Sequence, residues 1–315
     1  MLDLAIVVLN WNTCDLLRDC LRSVYGSEGE LSYRVCVVDN ASIDGSAEMV
    51  STAYPQVLLV RSPVNVGYAA GNNLGLKTFG FEPLPVSLQS PVGLQDCGGA
   101  AMPLAPPKYA LLLNPDTVLP PSALADMLAY MDKHPEAGAA GPKLVLSEGS
   151  LDLACRRTFP TPEVSFYRMI GLSQVLPRSR RFGRYNMTFM NPDVEIEVDS
   201  VVGAFMLVRG EAIRQAGLLD EQFFMYGEDL DWAFRIKQRG WKIFYNPAVT
   251  VRHVKRAASR QSPKAQNEFY RAMLIFNDKH YRAQTPGWVR WLVVGGIYLQ
   301  WGLVRLKQRA AGGPA

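Results

Sequence analysis

The chain carries no pair of cysteines at metal-binding spacing. Its five cysteines, Cys14, Cys20, Cys36, Cys97 and Cys155, are odd in number and scattered, and no C-x-x-C occurs. This excludes a zinc ribbon and a disulfide scaffold, and it is the usage of a reducing compartment. No G-x-x-x-x-G-K-S/T is present, which removes P-loop chemistry, and no G-x-G-x-x-G. In NVGYAAGNNLG the glycines Gly67, Gly71 and Gly75 recur every fourth residue, a stripe on one helix face that permits close packing. A dinucleotide-dependent dehydrogenase is therefore rejected. No basic stretch precedes the apolar start MLDLAIVVLN, so this segment reads as a first buried strand and not as a signal peptide. No internal repeat is visible. With 48% hydrophobic residues in a 315-residue chain, a large core is available and wholesale disorder is excluded.

What is present is unevenly distributed. The net charge of +4 conceals twelve Lys/Arg against two acids (Glu268, Asp278) between Arg252 and Arg309, leaving the remainder acidic. A basic end on an acidic body points to a polyanionic partner, either nucleic acid or an anionic membrane surface.

Short apolar runs alternate with helical periodicity. LAIVVLN (4–10), YRVCVVDN (33–40), VLLVRS (57–62) and YALLLN (109–114) read as strands. Residues 13–26, 46–54, 67–80 and 121–134 read as intervening helices, and 201–217 as a strand and a helix. Such alternation implies βαβ units and a mostly parallel sheet covered on both faces, with ligands gathering beyond the carboxyl ends of its strands. Three of these ends are polar: Asn10, Asp39-Asn40, and Asn114 to Asp116. The stretch 81–107, with six prolines and no period, reads as a surface loop, and 155–200 as irregular, with a basic cluster at 178–184.

Two segments carry further candidate chemistry. FFMYGEDLDWAFRIKQRGW (223–241) places Glu228, Asp229 and Asp231 at a helix start. The helix dipole favours acids there, and it also holds a general base ionised and directed. His253 ends an alternating run in NPAVTVRHVKRAASR. With Asp116 as a second ligand and a diphosphate supplying further oxygens, it suits Mn²⁺ or Mg²⁺ at an open site.

The motifs VVLNWN, VVDNASIDGS, NVGYAAGNN, LLLNPDT, GAFMLVRGEAI, FFMYGEDLDWAFRIKQRGW and VRHVKRAAS follow one another in this order. Together they resemble the inverting family 2 glycosyltransferases, specifically their rhamnosyltransferase-like branch, over residues 1–285. The resemblance implies a GT-A fold: a Rossmann-like three-layer α/β/α domain over 1–260, with a mostly parallel central sheet. A helical extension over 261–315 follows. It implies that Asp39 contacts the nucleobase of a nucleotide-sugar, with Asn10 in the same pocket and Asn65, Gly67 and Asn72 lining the nucleotide side. Asp116 would correspond to the last acid of the family's D-x-D motif and would bind a divalent metal together with His253. Asn114 departs from that motif by replacing its first acid, which leaves less charge for a metal. Asp229 would correspond to the catalytic base, with Glu228 beside it. The implied activity is inverting transfer of a sugar, L-rhamnose from dTDP-L-rhamnose, to a hydroxyl of a lipid-linked or surface glycan.

The segment GWVRWLVVGGIYLQWGLVRLKQRA (287–310) is the most apolar of the chain. Fourteen residues separate Arg290 from Arg305, about 21 Å of helix against a hydrocarbon core of about 30 Å. Its aromatics and its basic end suit an interfacial helix on an anionic bilayer. The expectation is a peripheral protein on the cytoplasmic face of the plasma membrane, acting on a polyprenyl-diphosphate-linked saccharide. Arg256 and Arg260 would then face the acceptor diphosphate. Nucleic acid fits less well, because the aromatics are interleaved with aliphatics and not with the basic cluster. A homodimer is a further expected partnership. Two other readings share the fold: a sugar-1-phosphate nucleotidyltransferase, which lacks its glycine-rich basic loop here, and a non-catalytic sugar-nucleotide-binding scaffold.

Overall fold

The computed structural model describes residues 2–82, 94–96, 106–254 and 262–310. Most of the proline-rich 81–107 loop, with Cys97, lies outside the described residues, as do Arg256 and Arg260.

The first half follows the alternation read from sequence. β1 (Leu4–Asn10), α1 (Cys14–Tyr25), β2 (Tyr33–Asn40), α2 (Ser46–Ala53), β3 (Leu58–Ser62) and α3 (Tyr68–Thr78) come first. Next come β4 (Leu94–Asp96), β5 (Tyr109–Leu113), β6 (Thr117–Val118), α4 (Ala123–Lys133) and β7 (Ala137–Leu146). The region 155–200, expected to be irregular, holds the short helices α5 (Pro162–Met169) and α6 (Leu172–Val175) and the strand β8 (Ile196–Val198). The chain continues through β9 (Phe205–Arg209), α7 (Gly210–Ala216), α8 (Glu228–Gln238) and β10 (Lys242–His253). It ends in α9 (Pro263–Tyr281) and α10 (Gly287–Ala310).

The strands form one sheet in the order β4-β3-β2-β1-β5-β9-β7-β10-β6, with β8 also on β10. The run β3-β2-β1-β5 is parallel, as is β7-β10, and β9 runs antiparallel between these two groups. Successive residues of a strand point to opposite faces. The first five residues of β1 and all five of β5 are buried, so both faces of the sheet are covered and the arrangement is three-layered. The glycine stripe of α3 explains how one helix sits so close. A Cβ on Gly71 would come within 2.4 Å of Leu9, and one on Gly75 within 2.4 Å of Val7.

The parallel register aligns the strand ends. Asn10 pairs with Asp39 across β1 and β2, and Leu113 sits opposite Val8 on the other side. The polar ends read from sequence therefore fall at one edge, where α/β sheets bind ligands.

α9 packs on α8 through a small second core of Phe223, Leu230, Ala272, Phe276 and Tyr281. Asp231, with no exposed surface, ties the two helices: its carboxylate meets Arg235 at 2.8 Å, Lys279 at 2.7 Å and His280 at 2.7 Å. Burial opposes its charge, yet His280, Arg235 and Lys279 hold the carboxyl down at about 2. Of the three acids in GEDLD, this one is structural.

Candidate active site

The end of β1 opens the site. Asn10 donates from Nδ2 to Asp39 Oδ1 at 3.2 Å and to Ser42 Oγ at 3.1 Å, and Asp39 Oδ2 accepts from Ser42 N at 3.1 Å. Asp39 is thereby held buried, while Trp11 and Ile43, just beyond β1 and β2, are exposed. One strand along, Asn40 Nδ2 donates to Asn65 Oδ1 at 3.0 Å and Asn40 Oδ1 accepts from Val66 N at 2.9 Å. Asn65 Oδ1 also accepts from Gly67 N at 3.0 Å. Asn65 and Gly67 thus form a braced loop beside Asp39. Asn72 is set differently. It is buried, and its Nδ2 donates to the Tyr68 carbonyl one turn back at 2.9 Å.

Gly67 has φ +89°, a left-handed backbone that favours glycine. A Cβ there would also lie 2.5 Å from the Phe224 carbonyl. The Asn65–Gly67 loop thus rests on the segment that leads into α8, and Tyr68 N donates to the same Phe224 carbonyl at 2.6 Å. Non-glycine residues in the left-handed region cost roughly 1–2 kcal/mol each and gather at functional sites. Asn12 (φ 53°), Ala41 (φ 63°) and Tyr226 (φ 68°) occupy that region just after β1, just after β2 and just before α8.

Asp116 and His253 meet because the two-residue strand β6 pairs with the end of β10, Thr117 opposite His253, and Val254 N donates to the Asp116 carbonyl at 2.7 Å. His253 Nε2 lies 3.3 Å from Asp116 Oδ1, and His253 Nδ1 lies 2.9 Å from Asp152 Oδ2. Burial opposes charge on the imidazole, but hydrogen bonds to Asp116 and Asp152 carry its pKa above the usual value. Asp152 is itself fixed, because its Oδ1 caps the turn at 153–155 by accepting from Ala154 N at 3.1 Å.

The donor set fits a divalent cation with an open coordination shell. Adjacent ligands of an octahedral ion at about 2.1 Å lie about 3 Å apart, close to the observed separation. A carboxylate behind the far nitrogen is the usual orienting partner of a ligand histidine. The Asp116 side chain remains 21% exposed. Among the described residues, no group of three or more His, Cys, Asp or Glu is placed to hold a metal by protein ligands alone.

The third component is the start of α8. Asp229 Oδ2 accepts from Arg157 Nη2 at 2.7 Å and from Gly203 N at 3.1 Å, and Oδ1 accepts from Leu230 N at 2.7 Å. Arg157 is buried and also donates to the Val201 carbonyl at 2.8 Å. Glu228, 6% exposed, has an Oε2 with no hydrogen-bond partner. Burial, and then repulsion from Asp229, push its carboxyl up to about 8.

Tyr68 links the three parts. Its hydroxyl donates to the Gly203 carbonyl at 2.9 Å and lies 3.3 Å from Asn114 Oδ1. Burial, followed by the charges of Glu228 and Asp229 and, more weakly, of Asp116, raises its pKa. Asn114, at the D-x-D position, therefore faces Tyr68. Asp116 thus meets His253 at 3.3 Å, and Tyr68 lies within electrostatic reach of Glu228, Asp229 and Asp116. Arg157, Asp152 and Tyr68 were not read from sequence. Arg157 and Asp152 lie in no distinctive local motif, Tyr68 sits unsingled within NVGYAAGNN, and only their partners reveal them.

A mostly parallel sheet of this order, covered on both faces by helices, is the fold of the GT-A glycosyltransferases. Residues 3–270 match the model of "Glycosyltransferase like family 2", and the chain belongs to that family. It is 27% identical over 272 residues to the N-acetylglucosaminyl-diphospho-decaprenol L-rhamnosyltransferase of Mycobacterium tuberculosis, covering 84% of this chain and 81% of that protein. It is 22% identical over 251 residues to the low-salt glycan biosynthesis hexosyltransferase Agl10 of Haloferax volcanii, covering 80% of this chain and 67% of that one. Among solved structures, GalNAc-T7 with UDP, GalNAc and Mn²⁺ superposes with a TM-score of 0.55 at 13% identity, covering 87% of this chain. The chain spans about half, 48%, of that longer protein.

Proposed function

We propose that this family 2 enzyme transfers L-rhamnose from dTDP-L-rhamnose, with inversion, to a hydroxyl of a polyprenyl-diphosphate-linked saccharide on the inner face of the plasma membrane. The observation that supports the catalytic part is the chain of contacts from the Asn114–Asp116 strand end to the start of α8: Tyr68 reaches Asn114 and the Gly203 carbonyl, and Gly203 N donates to Asp229. Donor and acceptor rest on the likeness to the decaprenol-linked rhamnosyltransferase.

Asp39, with Asn10 behind it, receives the nucleobase, and the braced Asn65–Gly67 loop borders the nucleotide. Asp116 and His253 would hold a divalent cation, Mn²⁺ or Mg²⁺, which would supply positive charge against the departing diphosphate. Asp229 accepts the proton of the acceptor hydroxyl. That oxygen bonds to the anomeric carbon from the face opposite the diphosphate, whose bond to the sugar breaks in the same displacement. Configuration inverts, and no covalent enzyme intermediate forms. Arg157 supplies the countercharge of Asp229 and fixes its direction, while burial and the neighbouring Asp229 favour the protonated form of Glu228. The pair therefore presents one negative charge to the acceptor and not two.

Among the described residues no helix is long and apolar enough to cross a membrane. α10 instead has two faces. Val293 and Ile297 are buried, and Gln300 and Trp301 are tied to the body, by Gln300 Nε2 to the Met169 carbonyl at 2.6 Å and Trp301 Nε1 to Asn267 at 2.7 Å. Trp288, Trp291, Leu292, Leu299, Leu303 and Leu306 are exposed along the other face, flanked by Arg305 and Lys307. An apolar stripe with a basic end lies in a bilayer interface.

A thermal-shift panel of nucleotide-sugars with and without Mn²⁺, followed by transfer assays, tests this reading. dTDP-L-rhamnose should give the largest stabilisation, and Asp116→Ala should abolish transfer with the fold intact. Near-normal turnover of that variant removes Asp116 from the mechanism. Binding without transfer or hydrolysis would favour the scaffold. Vesicle flotation of Trp288→Ser/Trp291→Ser/Leu299→Ser should show lost binding to anionic bilayers, and unchanged flotation removes the membrane role.

A further inference from the structure

An apolar cleft of about 160 Å³ lies between α5, α9, α10 and the loop leading into α8. Its walls include Met169, Leu230, Phe269, Met273, Val293 and Ile297. Tyr226 and Gly227 complete the wall on the catalytic side. Glu228 and Asp229 are the two residues between the lining residues Gly227 and Leu230. The cleft therefore borders the first turn of α8, the turn that carries Glu228 and Asp229.

We propose that the cleft seats the first isoprenoid unit of the acceptor's lipid tail, a proposal that rests on the lipid-linked acceptor reading above. Its size fits, since a cavity of about 150 Å³ lined by aliphatics takes up a six-carbon ring, and an isoprene unit has five carbons. Its walls are hydrocarbon and aromatic, so they stabilise an apolar chain and offer little to a sugar. Polarity is confined to a few places. Arg168, exposed, also lines the cleft and stacks 4.0 Å from the ring centroid of Tyr185, another lining residue, where its charge suits the diphosphate between sugar and lipid. On the far side the cleft is closed by the buried face of α10, whose opposite face carries the exposed apolar stripe. A tail leaving the cleft along α10 would enter the bilayer on which that stripe lies. One helix would thus serve two roles, anchoring the enzyme and forming one wall of the acceptor site.

The test uses the full chain, detergent-free, with acceptors that share one N-acetylglucosaminyl-diphosphate head. The tails are methyl, citronellyl (two isoprene units) and farnesyl. The expected result is a kcat/KM at least tenfold higher for citronellyl than for methyl. Ile297→Trp and Met273→Trp, which fill the cleft from different helices, should reduce that preference to within about twofold. Donor-induced thermal shifts and turnover of the methyl acceptor should be retained. Rates independent of the tail in the wild type, or equal losses on all acceptors in both variants, overturn the proposal. Absence of transfer to any of these acceptors overturns the lipid-linked reading as well.

A second measurement does not depend on the variants folding. A citronellyl diphosphate carrying a diazirine on its first isoprene unit should label peptides within 263–281 and 287–300. Labelling elsewhere, or labelling abolished by vesicles of neutral phospholipid, would make the cleft a seat for membrane acyl chains and overturn the assignment.

Discussion

Arg157→Met is the sharpest perturbation of this site. The substitution keeps an unbranched apolar stem and removes the guanidinium that sits 2.7 Å from Asp229 Oδ2, with both side chains 8% exposed. Removing one member of a buried ion pair costs about 3–5 kcal/mol, because the other charge is left unpaired. Here the remaining charge also lies beside Glu228, whose carboxyl already resists ionisation. The bond from Arg157 to the Val201 carbonyl is lost too, adding about 1 kcal/mol. A fall in Tm on the order of 10 °C follows at about 2–4 °C per kcal/mol. Asp229→Asn introduced into Arg157→Met removes the stranded charge, so the double variant should be more stable than Arg157→Met alone. The coupling should be about 1–3 kcal/mol, read by a double-mutant cycle from denaturant unfolding. Activity should fall in both single variants while the donor-induced thermal shift persists, because Arg157 faces the base and not the nucleotide pocket. A Tm within a degree or so of wild type, or Asp229→Asn costing the same in both backgrounds, would refute the claim that Arg157 is the countercharge of the base.

Glu228→Gln should gain stability relative to wild type as pH rises. The native carboxyl loses its proton only at about 8, against an ordinary value of 4.5. The unfolded chain releases that proton first, so wild-type stability declines across this window. A Tm difference that stays constant between pH 5 and pH 9 contradicts this. Asp152→Asn should weaken Mn²⁺ binding by about 10–100-fold, by loosening the orientation of His253, measured as the Mn²⁺ concentration at half-maximal transfer; an unchanged metal requirement removes Asp152 from that role. Gly67→Ala should lower Tm by several degrees and weaken donor binding, since the new Cβ meets the Phe224 carbonyl in a left-handed backbone that costs roughly 1–2 kcal/mol for alanine. Wild-type melting of Gly67→Ala shows that the Phe224 segment can move away.

The fold was legible where local pattern and tertiary environment agree. β1, β2 and β5 are short continuous apolar runs, and only strands buried on both faces use such runs. The same reading passed over β7. AGAAGPKLVL has few β-branched residues and a proline, so its local preference for strand is weak. Its small residues are there for contact: a Cβ on Gly138 would lie 2.5 Å from Trp241 and one on Gly141 2.8 Å from Val201. Those neighbours are distant in sequence, and no window around residue 140 contains them.

The site divides along the same line. Asn10, Asp39, Asp116, Glu228, Asp229 and His253 sit in motifs whose order along the chain is informative, so sequence alone nominated them and the family. Tertiary structure alone decided which partners each acid has. Asp231 became a tie between α8 and α9 because Lys279 and His280 reach it. Asp229 gained Arg157 from 72 residues away, and Glu228 was left with an unsatisfied oxygen. Asp152 came to stand behind His253 across 101 residues. The physical reason is one of range. Strand and helix periodicity, turn chemistry and motif order are properties of neighbouring residues. The charge state and direction of a buried carboxylate depend on which partners a parallel sheet and its crossovers bring to one edge, and those partners are named only when the chain has folded.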